Sequence, residues 1–143
     1  MSHTEKAIEV FRNRFNCSQA VFAAFAEELG MPEELALKVA IGFGGGMRKG
    51  EVCGAVSGAL MVLGMKYGDS CSDKAENKAV SYQKVSDFMD RFKEKNGSCV
   101  CRDLLGCDIS TAEGMTIASG RNLFNDICPK MVKSAVEIIE EMD

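Results

Sequence analysis

The stretch GFGGGMRKGEVCGAVSGALMVLGMKYG (residues 42–68) gives the strongest indication of the fold class of this chain. Its second half is strongly apolar, and we predict a helix there from about Glu51 to Tyr67. Gly54 and Gly58 lie four residues apart within it and so share one helix face. Each interior glycine costs about 1 kcal/mol relative to alanine. The pattern therefore predicts that a neighbouring helix packs closely against this face, with a cysteine in the first turn.

Helical periodicity continues on both sides of this stretch, while β-branched runs are sparse. Three start signals precede it: a capping box at Ser2, an N-cap at Asn16 and a first-turn proline at Pro32. The segments that follow are a long helix over residues 75–92, a short turn at 101–106, a helix from 110 through 121 and a final helix from 129. We predict an all-α, single-domain bundle of about five to seven helices over residues 1–143.

Charge and hydropathy exclude two classes of function. The chain has 17 Lys and Arg against 21 Asp and Glu, a net charge of −4, and a nucleic-acid binder would show a basic surplus or stripe. The longest apolar run, residues 55–65, is shorter than the roughly 20 residues of a membrane helix. The first ten residues have no apolar signal core. We therefore expect a cytoplasmic protein without nucleic-acid binding or membrane insertion, and a homodimer formed through a helix face is compatible with the pattern.

Seven cysteines and a single histidine, His3, restrict the available chemistry. Because the cysteine number is odd and no export signal is present, structural disulfides are not expected. Such cysteines serve as metal ligands, as redox centres or as buried apolar residues. The near absence of histidine excludes Ser-His-Asp triads and mixed Cys/His zinc sites. No C-x-x-C pair occurs, so the pattern supports neither a thioredoxin-like site nor a zinc ribbon.

Four cysteines from four separate segments are predicted at helix starts: Cys17, Cys53, Cys101 and Cys128. A helix start offers free N–H groups and the positive end of the helix dipole, and both stabilise a thiolate. Basic residues lie close to each cysteine in sequence. We therefore expect lowered thiol pKa values at all four positions, and thiolate is the form that attacks disulfides and binds metals.

The glycines before Cys53 fit neither known phosphate-binding loop. The spacing fails the P-loop pattern at Glu51, and no strand precedes the glycines as a dinucleotide fingerprint requires. What remains is a flexible loop whose backbone can approach the site. We expect amides of Gly44, Gly45 and Gly46, together with Arg48, to contact the sulfur of Cys53 or a group bound to it.

The order of Cys17, the segment CGAVSG (residues 53–58), Cys101 and Cys128 resembles the C-GCAxxG-C-C family, to which a redox role is assigned. The GGG run and the CRDLLG segment are also similar to that family, and the resemblance covers nearly the whole chain. It implies a small helical domain with four characteristic cysteines. Some relatives carry selenocysteine at the position of Cys53, which implies a reactive atom there. Similar domains accompany iron–sulfur and haem centres in split-Soret cytochromes. The third family cysteine is assigned to Cys101, although Cys107 competes for that position.

Three hypotheses follow. The first is a redox protein that works with thiols and disulfides or transfers electrons, with Cys53 as nucleophile and Cys17, Cys101 or Cys128 as the resolving thiol. The second is an iron–sulfur or other metal site with these four cysteines as ligands. The third is a helical interaction module with idle cysteines. The sequence leaves open whether the chain is an enzyme and which redox partner it meets.

Overall fold

The computed structural model describes residues 1–143 and contains nine α-helices, a short 3-10 helix (Ile41–Phe43), a short π-helix (Gly46–Gly50) and no strand. The α-helices are α1 (His3–Arg12), α2 (Cys17–Ala26), α3 (Glu33–Ala40), α4 (Gly54–Tyr67), α5 (Lys74–Asn96), α6 (Cys101–Leu105), α7 (Ala112–Gly120), α8 (Leu123–Asp126) and α9 (Cys128–Glu141). Eight of them span five residues or more. The all-α prediction is confirmed. The predicted number of five to seven helices is wrong, because the CRDLLG segment forms the short helix α6 instead of a turn.

Helix α2 lies at the centre of the bundle and packs against α1, α3, α4 and α9. Nine of its ten residues are buried. A main core of 25 buried residues joins these helices, and a second buried cluster of four residues surrounds Cys101. Cys128 packs against both clusters, so the start of α9 lies at their junction. No helix of the protein is both long enough and apolar enough to cross a membrane.

The glycine face of α4 packs against the start of α2. A Cβ atom added at Gly58 would lie 2.6 Å from the carbonyl oxygen of Ser18, and one added at Gly54 would lie 3.2 Å from the backbone nitrogen of the same residue. Both contacts are with backbone, which cannot rotate away as a side chain can. The predicted close approach of a neighbouring helix is therefore confirmed, and it fixes the first turn of α2 against α4.

Side-chain hydrogen bonds hold the start of α2 in place. Asn16 caps the helix by accepting from the N–H of Gln19 at 3.0 Å, and its own N–H is bonded by the Gln19 side chain. The buried hydroxyl of Ser18 donates to the carbonyl of Ala40 at 2.7 Å, at the end of α3. Because each of these buried polar groups has a partner, they orient α2 without a desolvation cost. Cys17 lies between the capping residue and this hydroxyl.

Candidate functional site

Each of the four predicted cysteines lies where a helix begins. Cys17, Cys101 and Cys128 are the first residues of α2, α6 and α9, and Cys53 immediately precedes α4. The N–H groups of a first turn have no partner within their own helix. At the start of α4, the N–H groups of Ala55 and Val56 favour the thiolate form of Cys53 and so act to lower its pKa.

All four cysteines line one cavity of about 200 Å³, which we call the cysteine cavity. Its walls are mostly apolar, since 12 of its 16 lining residues are hydrophobic. Phe11, Phe15 and Phe124 are among them. The fold thus brings thiols from four distant segments to a single chamber with little polar surface. In such surroundings the charged form of a thiol is disfavoured.

A short antiparallel bridge between Val52 and Val100 connects the segments that carry two of these cysteines. The N–H of Cys53 donates to the carbonyl of Cys99 at 2.8 Å, and the N–H of Cys101 donates to the carbonyl of Glu51 at 2.6 Å. Backbone hydrogen bonds therefore hold these two sulfur-bearing residues in the same cavity. The bridge is a single residue pair and does not form a strand. It is therefore too short to produce the alternating apolar pattern by which a strand is recognised in a sequence.

The other two cysteines affect each other's titration. Hydrogen bonding between their side chains raises the pKa of Cys17 well above its ordinary value and lowers that of Cys128. Burial further raises the pKa of Cys17. For Cys128 burial acts in the opposite direction to the hydrogen bond but does not cancel it, and the residue's own N–H contributes to the lowering. The pair therefore favours one thiolate, on Cys128, and one thiol, on Cys17.

Burial dominates at the remaining two sites. It raises the pKa of Cys53 to about 12, although two N–H groups of α4 oppose it, and raises that of Cys101 to about 11, although Arg48 opposes it. The expectation of lowered pKa values at all four helix starts is therefore wrong for Cys17, Cys53 and Cys101. A helix dipole contributes about 0.3–1 kcal/mol, less than one pKa unit, whereas burial shifts a pKa by up to about 3–5.

Comparison with known proteins identifies the family of this chain. A family model described as "Putative redox-active protein (C_GCAxxG_C_C)" matches residues 15–142, nearly the whole chain. The chain belongs to this family. No curated protein and no solved structure matches it. The match includes Cys17, Cys53, Cys101 and Cys128, the residues on which the resemblance was based.

The glycine loop of this C-GCAxxG-C-C member contributes less to the cavity than expected. Gly45 and Arg48 line it, whereas Gly44 and Gly46 do not. A Cβ atom added at Gly44 would meet the side chain of Asn16, and one added at Gly46 would meet the backbone of Glu51. The N–H groups that act on the pKa of Cys53 belong to α4. The role expected for the loop amides therefore stays a prediction.

The same loop contains a left-handed turn. Gly45, Gly46, Met47 and Arg48 have φ angles of 64°, 61°, 58° and 62°. This conformation costs little for glycine but roughly 1–2 kcal/mol for each residue with a side chain. The turn places Arg48 at the cavity, where its charge favours the thiolate form of Cys101.

The three additional cysteines lie outside the cysteine cavity. Cys71 is half-buried before α5, Cys99 is buried and its thiol donates to the carbonyl of Met89 at 3.4 Å, and Cys107 is half-buried after α6. Of the two candidates for the third family cysteine, the cavity therefore includes Cys101 and not Cys107.

Sequence reasoning missed the apolar walls of the site. Phe11, Leu105, Ile109, Phe124 and Met131 line the cavity but were not predicted as site residues. Met131 lies three residues after Cys128 and so shares its helix face, which is a signal that could have been used. Leu105 lies four residues after Cys101 in α6 and offers the same kind of signal. The other three residues come from separate segments, and no helical spacing within one element connects them to a cysteine.

The thiols do not form a site for a single metal ion. No three or more His, Cys, Asp or Glu side chains are grouped so that they could hold one. The four family cysteines instead line a cavity. Four thiolates are the ligand set of iron–sulfur clusters, in which the thiolates bind different iron atoms and need not converge on one ion. The residues of this site therefore fit a cluster better than a mononuclear ion.

Proposed function

We propose that this chain is a thiol–disulfide redox protein whose working pair is Cys128 and Cys17. The observation that carries the proposal is that both residues line one cavity, where the interaction between them lowers the pKa of Cys128 and raises that of Cys17. Membership of a family described as redox-active supports it. Cys53, which the sequence suggested as nucleophile, is assigned no attacking role because burial raises its pKa to about 12.

The reaction proceeds in two exchanges. The Cys128 thiolate attacks one sulfur of a substrate disulfide, its S–S bond breaks, and the departing thiolate takes a proton. Formation of this mixed disulfide removes the negative charge that raised the pKa of Cys17. Cys17 then loses its proton and attacks the sulfur of Cys128, which forms the Cys17–Cys128 disulfide and releases the second substrate thiol. Two electrons pass from the pair to the substrate, and an external dithiol returns them.

Trapping of the intermediate tests the assignment. Fully reduced protein is mixed with a small disulfide, quenched with acid and analysed by peptide mass spectrometry. We expect a Cys17–Cys128 disulfide in the wild-type protein and a persistent mixed disulfide on Cys128 in Cys17→Ser. Cys128→Ser should form neither product, whereas the matched control Cys71→Ser should behave as wild type. A disulfide between Cys53 and Cys101 as the first product would contradict the assignment.

A second candidate function is electron transfer through an iron–sulfur cluster held by the four family cysteines. The supporting observation is that all four line one apolar cavity at helix starts. When bound, a cluster would supply one-electron chemistry, and N–H groups near its sulfurs would tune its potential. Anaerobically purified protein with stoichiometric iron and sulfide, lost in Cys53→Ser and Cys101→Ser, would favour this candidate. Colourless protein free of iron, sulfide and zinc would contradict it.

A further inference from the structure

A second cavity adjoins the cysteine cavity. It has a volume of about 480 Å³, and we call it the arginine cavity because Arg12 and Arg14 line it. Phe11 and Phe15 line both cavities, so they form the boundary between the two. Pro129, the residue next to Cys128, also lines the arginine cavity. Cys128 itself lines only the cysteine cavity, so a molecule that extends from the arginine cavity past Phe11 and Phe15 would reach the thiol to which the proposed function assigns the attack.

The two arginines have no acidic partner. Neither guanidinium takes part in an ion pair or a side-chain hydrogen bond, whereas Arg91 and Arg102 are each paired with a carboxylate. No acidic residue lines the cavity, although Glu9 lies with Arg12 at the edge of a neighbouring cavity. Arg48 and Arg121 also lack an acidic partner, but Arg12 and Arg14 are the two that line this cavity together. Guanidinium groups bind carboxylates through two parallel hydrogen bonds.

The backbone at Arg14 supports a specific use of this residue. Its φ angle is 72°, in the left-handed region, immediately after the C-cap residue of α1. Glycine or asparagine is the usual residue at such a position. An arginine there is maintained against a conformational cost, and strained residues cluster at sites that bind ligands or substrates.

We propose that the arginine cavity binds the carboxylate of a small anionic disulfide and presents its S–S bond to Cys128. The proposal rests on the proposed function of the Cys17–Cys128 pair. A cavity of about 480 Å³ is within the usual range for small molecules. Phe11 and Phe15 provide apolar contact for the carbon chain of the ligand, while Arg12 and Arg14 select for its negative charge. A neutral or cationic disulfide lacks the second interaction.

Three aliphatic disulfides of similar size and different charge test the selection: dithiodiglycolate, 2-hydroxyethyl disulfide and cystamine. The measured quantity is the second-order rate constant for oxidation of fully reduced protein at pH 7 and low salt. We expect the anionic compound to react fastest and the cationic one slowest. Arg12→Gln/Arg14→Gln should lower the ratio of anionic to cationic rate constants about tenfold or more, because charge-assisted hydrogen bonds are lost.

Two variants control this experiment. Lys130→Gln removes a positive charge two residues from Cys128 that does not line the arginine cavity, and it should change the ratio less than about twofold. Arg14→Gly removes the guanidinium while its backbone favours the left-handed conformation, so it remains informative if the double variant does not fold. It should lower the ratio in the same direction. An unchanged ratio in Arg14→Gly and in the folded double variant would overturn the proposal.

Binding without chemistry separates this proposal from the proposed function. In Cys17→Ser/Cys128→Ser, dithiodiglycolate should perturb the backbone amide signals of Arg14 and Phe15 in an NMR titration, and cystamine should not. If this binding occurs but the wild-type protein reduces no disulfide, the redox assignment fails and the cavity assignment stands. If all three disulfides react at equal rates and none binds, the cavity assignment fails and the redox assignment stands. The cavity assignment would also be overturned if the protein preferred protein disulfides regardless of their charge.

Discussion

Helices α2 and α9 pack against each other, and titratable groups lie close together near both ends of the pair. A thiolate is stabilised at one end only. Their starts meet at Cys17 and Cys128, whose thiols are hydrogen-bonded. Their ends meet at His3, which bonds to Glu28 just beyond α2 at 2.8 Å and to Glu140 in α9 at 3.0 Å. Titratable groups therefore lie close together at both ends, although those at the second end come from α1, from the segment after α2 and from α9. Only the first end offers a stabilised thiolate.

Burial explains the difference between the two ends. The cysteine end is enclosed by apolar walls, whereas the carboxylates at the other end remain about half exposed, at 53% and 45%. Loss of water magnifies each interaction at the buried end. At the exposed end, solvent screens the charges and ion pairs contribute little. Position at a helix start is therefore insufficient to activate a thiol, and a hydrogen-bonding partner must also offset the cost of burial.

The largest effect that we expect is a difference in reactivity between Cys128 and Cys53. The pKa of Cys128 is lowered, whereas burial raises that of Cys53 to about 12. At pH 7 a larger fraction of Cys128 is therefore in the thiolate form, which is the form that reacts. Although the thiolate of a more acidic thiol is a weaker nucleophile, we expect Cys128 to be alkylated about tenfold faster than Cys53, or more.

Peptide-resolved labelling with iodoacetamide at pH 7 checks this ratio, with the half-buried Cys71 outside the cavity as internal reference. The rate at Cys53 should rise about tenfold for each pH unit between 7 and 9, as expected below a pKa of about 12. Faster labelling of Cys53 than of Cys128 would refute the conclusion that a partner thiol, and not position at a helix start, activates a buried cysteine.

The second effect concerns the contact that keeps the cysteine end closed. Gly58→Ala should destabilise the protein by about 2 kcal/mol, because the new methyl group would lie 2.6 Å from the Ser18 carbonyl oxygen and overpack the α2–α4 contact. Gly64→Ala is the matched control in the same helix. Nothing lies within 4 Å of its added Cβ, so the higher helix propensity of alanine should stabilise the protein by about 0.5–1 kcal/mol.

Urea unfolding measures both variants. The change in the free energy of unfolding relative to wild type should be negative for Gly58→Ala and positive for Gly64→Ala. Opposite signs separate steric conflict from helix propensity. If Gly58→Ala were as stable as wild type, the close approach of α2 to α4 would be wrong, and with it the reason that Cys17 is enclosed.

The sequence predicted those parts of the site that depend on local signals. The N-cap at Asn16 predicted where α2 begins, and the spacing of Gly54 and Gly58 predicted a close helix contact. Both depend on residues within one turn of each other. The position of four cysteines at helix starts followed from the same kind of signal.

The remainder depended on residues far apart in the chain. The pKa values of Cys53 and Cys101 follow from burial, and the walls that bury them include Phe11 and Phe124, more than one hundred residues apart. The hydrogen bond that distinguishes Cys128 requires Cys17 from the other end of the chain. Neither can be read from spacing, because both arise only when α2 and α9 pack together.

The smallest effect is expected at the exposed end of the same two helices. Burial by itself lowers the pKa of His3, but the hydrogen bonds and charges of Glu140 and Glu28 raise it overall above 6.5. Because the folded-state pKa is the higher one, protonated His3 contributes its full stability below about pH 6.5 and loses it as the pH rises through the folded-state pKa. The contribution is below about 1 kcal/mol, since the carboxylates are half exposed. Urea unfolding at pH 5.5 and 8.5 should show this loss in the wild-type protein and a smaller one in Glu28→Gln/Glu140→Gln. An equal pH dependence in both proteins would show that the His3 contacts add no stability, and a dependence above about 2 kcal/mol would show that this end is as enclosed as the cysteine cavity.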